Sequence, residues 1–251
     1  MDWHVRRSAP PHATIAYMKL PAACLLSRFL LSSILLAGCA ADQPLPAAPS
    51  ATTTTADGGA LWYQKAARAG QKVYRIDPAR SLITITVRRG GALARLGHDH
   101  VIASRTVSGW VAPDAGRADF QFRLDELTVD EPVLRAQAGL ATQPSPEAIE
   151  GTRNNMLNRV LEAQRFPLVV MRAERLAGAA DKVRLAVTLH GVTRTLEVPV
   201  LMQRTRDKIA ASGELRLLQT DFAITPMSVM GGAIAVQDRM ELRFMLVAAV
   251  K

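Results

Sequence analysis

Alternating apolar and polar residues divide residues 183–202 into two stretches separated by a glycine. Every second residue is apolar from Val183 to Leu189 and again from Leu196 to Met202. A period of two is typical of β-strands with one buried face and one wetter face. Gly191 lies between the stretches, and glycine adopts the positive φ of a tight turn at little steric cost. The pattern therefore predicts an antiparallel hairpin with its corner at Gly191.

The same alternation recurs before and after this hairpin. Three inward-facing rows stand out, and the predicted ligand-binding residues are Ile83, Ile85, Val87, Phe120, Phe122, Leu124, Leu242, Phe244 and Leu246. Such rows either fill a solid core or line a pocket, and the pattern alone fits both interpretations. If the barrel is hollow, these side chains contact an apolar ligand.

One segment between the strands has helical signals instead. Ser145 is a suitable N-cap, Pro146 suits the first helical position, and Phe166-Pro167 ends the apolar pattern. Short alternating strands with turn signals between them favour a sandwich or barrel. We predict an all-β fold, an antiparallel lipocalin-like β-barrel of about eight strands with one helical insertion.

The N-terminal region has the layout of an export signal. A basic residue after Met18 precedes a short apolar run, which is too short to span a bilayer. The run ends in Leu-Ala-Gly before Cys39, which resembles a bacterial lipobox. We therefore predict a signal peptide over residues 1–38 with its true start at Met18. This interpretation also predicts that Cys39 is lipidated. A flexible lipid-anchored linker then covers residues 39–70, and a barrel domain covers residues 71–251.

The net charge of the chain and its distribution limit the classes of binding partner that we expect. The chain carries a formal net charge of +9, and removal of residues 1–38, with four basic residues and one acidic residue, lowers it to +6. Basic and acidic residues are interspersed along the strands, without a basic stripe that contains aromatic residues. Nucleic acid is therefore not a predicted partner, despite the high isoelectric point.

Two histidines are the clearest candidates in this sequence for a chemical role. In an extended chain, His98 and His100 lie on the same side, close enough to bind one divalent metal ion, with His190 or a carboxylate completing the site. The alternative is that both rings form hydrogen bonds at the entrance of a strand. The sequence shows none of the common hydrolase, nucleotide-binding or metalloprotease motifs. We therefore expect a binding protein rather than an enzyme, with no cofactor other than such a metal ion or an apolar ligand.

Several stretches occur in the order seen in YceI-like lipid-binding barrels. The chain resembles this family at 74–78 (YRIDP), 152–157 (TRNNML), 189–193 (LHGVT) and 217–224. The resemblance implies an extended barrel with a long apolar pocket for an isoprenoid or fatty-acyl chain. Gly97-His98-Asp99-His100 departs from the family pattern near the pocket entrance. This departure concerns the residues at the entrance, which would contact the head group of a ligand.

The sequence leaves three hypotheses for function. The first is binding or carriage of a polyisoprenoid, isoprenoid quinone or fatty-acyl lipid by a periplasm-facing lipoprotein of the cell envelope. The second is a metal-binding or enzymatic envelope protein that uses His98 and His100, and the third is a structural lipoprotein without a ligand. Ala40 rather than aspartate follows the predicted lipidated cysteine, and this resemblance to sorting signals favours the outer membrane.

Overall fold

The computed structural model describes residues 56–179 and 181–250. The signal peptide predicted over residues 1–38, the lipidation site Cys39 and the first part of the predicted linker lie outside these residues. No helix within the described part of the chain is long and apolar enough to cross a membrane.

In the described part of the chain, thirteen strands form one sheet in which all paired neighbours are antiparallel. The strands are β1 (Tyr74–Ile76), β2 (Leu82–Gly90), β3 (His100–Ser104), β4 (Ser108–Ala112), β5 (Arg117–Arg123), β6 (Thr128–Val129), β7 (Leu168–Arg175), β8 (Lys182–Leu189), β9 (Val192–Pro199), β10 (Leu201–Arg204), β11 (Lys208–Leu218), β12 (Ser228–Val229) and β13 (Ile234–Ala249). The sheet confirms the all-β, antiparallel fold class predicted from the alternation.

The sheet curves back on itself but its hydrogen-bonded ladder is open. The paired order is β6-β3-β2-β13-β1-β4-β5-β7-β8-β9, and β11 pairs with β13 and β10. Only Val200 separates β9 from β10, so the chain itself connects the β9 end of this path to the β10–β11 branch that pairs with β13. Within the described residues, β9 pairs along one edge only, with β8. The predicted closed barrel is therefore corrected to an open one.

The strand count also exceeds the eight predicted, because several long strands are interrupted. β1 and β2 both pair with β13, and a 3-10 turn at Pro78–Arg80 separates them. Pro78 lacks the N–H that a continuous ladder would use. Val200 similarly divides β9 from β10, and β6 and β12 contain two residues each. These interruptions are local, so the alternation on either side of each remains visible in the sequence.

The helical content is larger than the single predicted insertion. That insertion is α3 (Pro146–Asn155), where the Ser145 hydroxyl accepts a hydrogen bond from the Ala148 N–H, and it continues as a π-helical turn at Met156–Val160. Two further α-helices occur in the described residues, α1 (Ala56–Arg68) and α2 (Pro132–Gln137). Neither was expected from the apolar pattern.

Helix α1 lies within the predicted linker over residues 39–70, and it packs on the sheet. Its Tyr63 is fully buried and Ala66 is buried as well. The Tyr63 ring stacks on Trp110 of β4 with centroids 6.2 Å apart, and its hydroxyl bonds to Asp119 of β5. The polar, alanine-rich composition concealed these contacts, because only one face of the helix packs on the sheet.

The β8–β9 hairpin has the geometry predicted from its glycine. His190 and Gly191 form the two-residue turn, with φ values of 51° and 76°. Positive φ at both positions is the signature of a type I′ turn, whose twist matches that of the flanking strands. A Cβ on Gly191 would lie 2.8 Å from Cε1 of Phe166, so close packing also favours glycine here.

Candidate functional site

A cavity of about 650 Å³ lies inside the curved sheet. Its walls are the inward faces of the long strands together with side chains from α3 and the following π-helical turn. Most lining residues are aliphatic or aromatic. Cavities of roughly 300–1,000 Å³ with apolar walls are typical of small-molecule binding sites.

All nine residues predicted from the inward rows line this cavity. Ile83, Phe122 and Leu124 are buried, and the other six are half-buried while they pack against the same core. The two interpretations of these rows are therefore not exclusive. Each row packs against its neighbours in the wall and also presents atoms to the interior space.

Strand register explains how distant segments share one wall. Ile85 of β2 pairs with Leu242 of β13 and with Ile102 of β3, and all three line the cavity. Residues paired across antiparallel strands project on the same side of the sheet. The register thus converts several separate alternating patterns into one continuous apolar surface.

Sequence reasoning did not assign other parts of the lining. The additional apolar residues include Ile102, Val169, Met171, Leu185, Val187, Leu189, Val198, Leu215, Leu217, Met156, Val160 and Leu161. Those in β7, β8 and β11 belong to alternating rows that the sequence already displays, so periodicity could have identified them. The contribution of the π-helical turn depends on how α3 docks, which no local pattern specifies.

Charged lining residues cluster where β5 and β8 begin and β7 ends. Arg117 is half-buried, and Glu174, Arg175 and Lys182 are exposed; together they form a charged rim of the cavity. His100 lies farther along the cavity, in the register row formed with Val87 of β2 and Met240 in the middle of β13. Among the ionisable residues that line the cavity in the described chain, His100 is the buried one.

The two histidines that were expected to share a metal are neighbours, with ring centroids 6.2 Å apart. His100 lines the cavity, whereas His98 is exposed and outside the lining. His190 instead packs against Phe166, with ring centroids 4.5 Å apart, and its Nε2 lies 3.2 Å from a carboxylate oxygen of Glu162. Within the described residues, no cluster of three or more His, Cys, Asp or Glu side chains could hold a metal ion.

A buried ion pair between Asp130 and Arg135 contacts the His100 ring. Nδ1 of His100 lies 2.6 Å from one Asp130 carboxylate oxygen, and the other oxygen accepts bonds from the Val101 N–H and the Arg135 guanidinium. Burial favours the neutral acid, but these hydrogen bonds outweigh it and lower the pKa of Asp130. Neither partner was predicted from the sequence. Pro132, which lies between them and is a common first helical residue, was the available signal for α2.

Known proteins show where this fold belongs. The family model for the YceI-like domain matches residues 74–248. The chain belongs to the YceI-like family. No curated protein sequence matches it.

Solved structures similar to this YceI-like chain share little of its sequence. A polyisoprenoid binding domain from Saccharophagus degradans, implicated in plant cell wall breakdown, is 14% identical with a TM-score of 0.51, over 71% of this chain and 98% of that chain. Burkholderia cenocepacia BcnA is 15% identical with a TM-score of 0.47, over 68% and 98%. The Campylobacter jejuni YCEI protein is 14% identical with a TM-score of 0.39, over 58% and 81%. At this level of identity, the first likeness shows a shared fold.

Proposed function

We propose that this YceI-like protein binds and carries a long-chain apolar lipid of the polyisoprenoid, isoprenoid quinone or fatty-acyl type. The observation that carries the proposal is the cavity of about 650 Å³ with its nearly continuous apolar wall. Membership of the family and the fold shared with a polyisoprenoid binding domain support the same ligand class.

The energetics favour an apolar occupant. Transfer of an aliphatic chain from water into such a cavity gains roughly 0.8 kcal/mol for each buried CH₂ group. Wall atoms that face empty space also lack dispersion partners, so an inserted chain restores contacts to the wall. A water-filled interior would leave most of its water without polar partners, because few lining groups form hydrogen bonds.

The proposal also covers the cellular location of the protein and its role in binding rather than catalysis. The lipobox before Cys39 supports an anchored, periplasm-facing lipoprotein, with Ala40 favouring the outer membrane. Binding rather than catalysis is supported by the composition of the lining, in which the ionisable side chains other than His100 lie at the charged rim. A tethered carrier could exchange a lipid with the membrane to which it is attached.

A cavity-filling substitution tests the proposal. Ala173 of β7 lines the cavity and pairs with Leu185, whereas Ala186 of β8 pairs with Arg172 and lies outside the lining. Ala173→Phe is expected to reduce the lipid that co-purifies with the full-length chain by about tenfold, because the new ring occupies ligand space. The Ala186→Phe control is expected to retain its lipid.

Native mass spectrometry and solvent extraction provide the readout. In a hollow barrel the added ring fills space, so the folded content seen by circular dichroism is expected to stay unchanged. Failure of the parent protein to bind any lipid, or an Ala173→Phe variant that keeps its full lipid content, would contradict the assignment of the cavity as the lipid site.

A further inference from the structure

We propose that His100 is the hydrogen-bonding anchor for the head group of the bound lipid, and that this head group is a hydroxyl. The inference rests on the proposed function and extends it from the apolar chain to its polar end. It is carried by the position of His100 in the wall and by the Asp130–Arg135 pair behind the ring.

The position of His100 follows from the register of four strands. His100 of β3 pairs with Val87 of β2, Val87 pairs with Met240 of β13, and Met240 pairs with Leu217 of β11. All four residues line the cavity, so the imidazole belongs to an apolar row. A hydrogen bond in such low-dielectric surroundings is stronger than one in water.

The hydrogen-bond partner of Nδ1 determines whether Nε2 of the same ring is a donor or an acceptor. An ionised carboxylate only accepts hydrogen bonds, so the 2.6 Å contact with Asp130 requires Nδ1 to carry the proton. The Nε2 atom of the neutral imidazole is then an acceptor. Within the described residues, Nε2 makes no hydrogen bond to another protein group.

Charge balance selects the class of head group. The Asp130 carboxylate already pairs with the buried guanidinium of Arg135, which also donates to the carbonyls of Asp99 and Thr142. Because Arg135 is paired with Asp130 and its other hydrogen bonds go to backbone carbonyls, its charge is not available to a phosphate or carboxylate. An acceptor nitrogen in a neutral setting matches an O–H donor, as found in a prenyl alcohol, a fatty alcohol or a hydroquinone.

Geranylgeraniol and its methyl ether provide the test, because they share a chain and an oxygen but only the alcohol can donate. Their affinities for the purified full-length chain can be measured by displacement of a fluorescent polyene fatty acid. We expect the alcohol to bind about three- to tenfold more tightly, the effect of one hydrogen bond.

Substitution of His100 should remove this preference without loss of chain binding. In His100→Asn, the side-chain amide can still donate to Asp130 while the Nε2 position is lost. Its two affinities should become equal, and the ether should bind as it does to the parent. His98→Asn at the exposed neighbour should keep the preference. His100→Gln, whose longer amide reaches the Nε2 position, should restore part of it.

The outcomes separate this inference from the proposed function. Equal affinities in the parent protein, or a preference that survives His100→Asn, would overturn the anchor while lipid binding stands. Absence of binding by both lipids to the parent protein would overturn the proposed function for this lipid class and the anchor together. Ether binding and circular dichroism report whether each variant is folded.

Discussion

The hydroxyl of Tyr63 in α1 donates a hydrogen bond of 2.9 Å to the carboxylate of Asp119 in β5. The same carboxylate accepts a 2.6 Å bond from Arg117 and another from Arg172. Tyr63 is fully buried, and its ring stacks on Trp110. The helix that precedes the family-matched region is thus fixed to the outer face of the sheet through one aspartate.

We expect Tyr63→Phe to lower the free energy of unfolding by about 1–3 kcal/mol, because it removes a hydrogen bond to a charged group. It should also increase protease cleavage within α1. Tyr74→Phe is a matched control, since Tyr74 is equally buried but donates to the neutral carbonyl of Arg206 over 3.2 Å. Denaturant unfolding and limited proteolysis are the measurements. Equal cleavage of α1 in both variants would contradict the anchoring role of Tyr63.

The Asp119 cluster predicts a specific loss of stability in acid. Burial tends to raise the pKa of Asp119, but hydrogen bonds from Arg172, Arg117 and Tyr63 lower it overall. A carboxylate with a lowered pKa contributes stability above its unfolded-state pKa of about 3.9 and loses that contribution as the pH falls further.

Asp119→Asn removes this contribution. The difference in free energy of unfolding between parent and variant should be largest near neutral pH and should shrink below about pH 4. Asp207→Asn, at an exposed position, should show no comparable pH dependence. Urea unfolding from pH 7 to pH 3 measures both. A difference that stays constant over this range would exclude the ionised form of Asp119 as the source of stability.

The β8–β9 turn offers a test of close packing. Gly191→Ala places a methyl group in a backbone with φ of 76° and against the Phe166 ring, whereas Gly178→Ala meets a similar φ of 80° with no heavy atom within 4 Å. Positive φ alone costs about 1–2 kcal/mol for an L-residue. We therefore expect Gly191→Ala to be more destabilising than Gly178→Ala in thermal unfolding. Equal losses would mean that Phe166 moves aside without cost.

The proposed anchor predicts a change in fractionation. Cys39→Ser removes the thiol that the lipobox presents for lipidation. The variant should appear in the soluble periplasmic fraction or remain as unprocessed precursor, whereas Cys24→Ser, upstream of the predicted cleavage site, should fractionate like the parent. Membrane fractionation and immunoblotting are sufficient. A Cys39→Ser protein that matures and sediments with membranes would refute lipidation at this residue.

Period-two alternation is a local property, and it was sufficient to predict the fold class, the β8–β9 hairpin and the three rows that line the cavity. The backbone alternates side chains between two faces whatever strand lies beside it. The N-cap of α3 was equally visible, because a serine followed by proline acts on adjacent backbone groups. These features depend on neighbours within a few positions of the chain.

Tertiary structure decided what depends on pairing between distant residues. The alternation at Phe122 is the same for a solid core and for a cavity wall, and only the path of the whole sheet leaves space beside its ring. His100 could pair with His98 in an extended strand, yet its partner is Asp130, thirty positions away and placed by the β3–β6 register. The docking of α1 through Tyr63 onto Asp119 has the same origin, since contact between distant residues follows from register and packing rather than from local pattern.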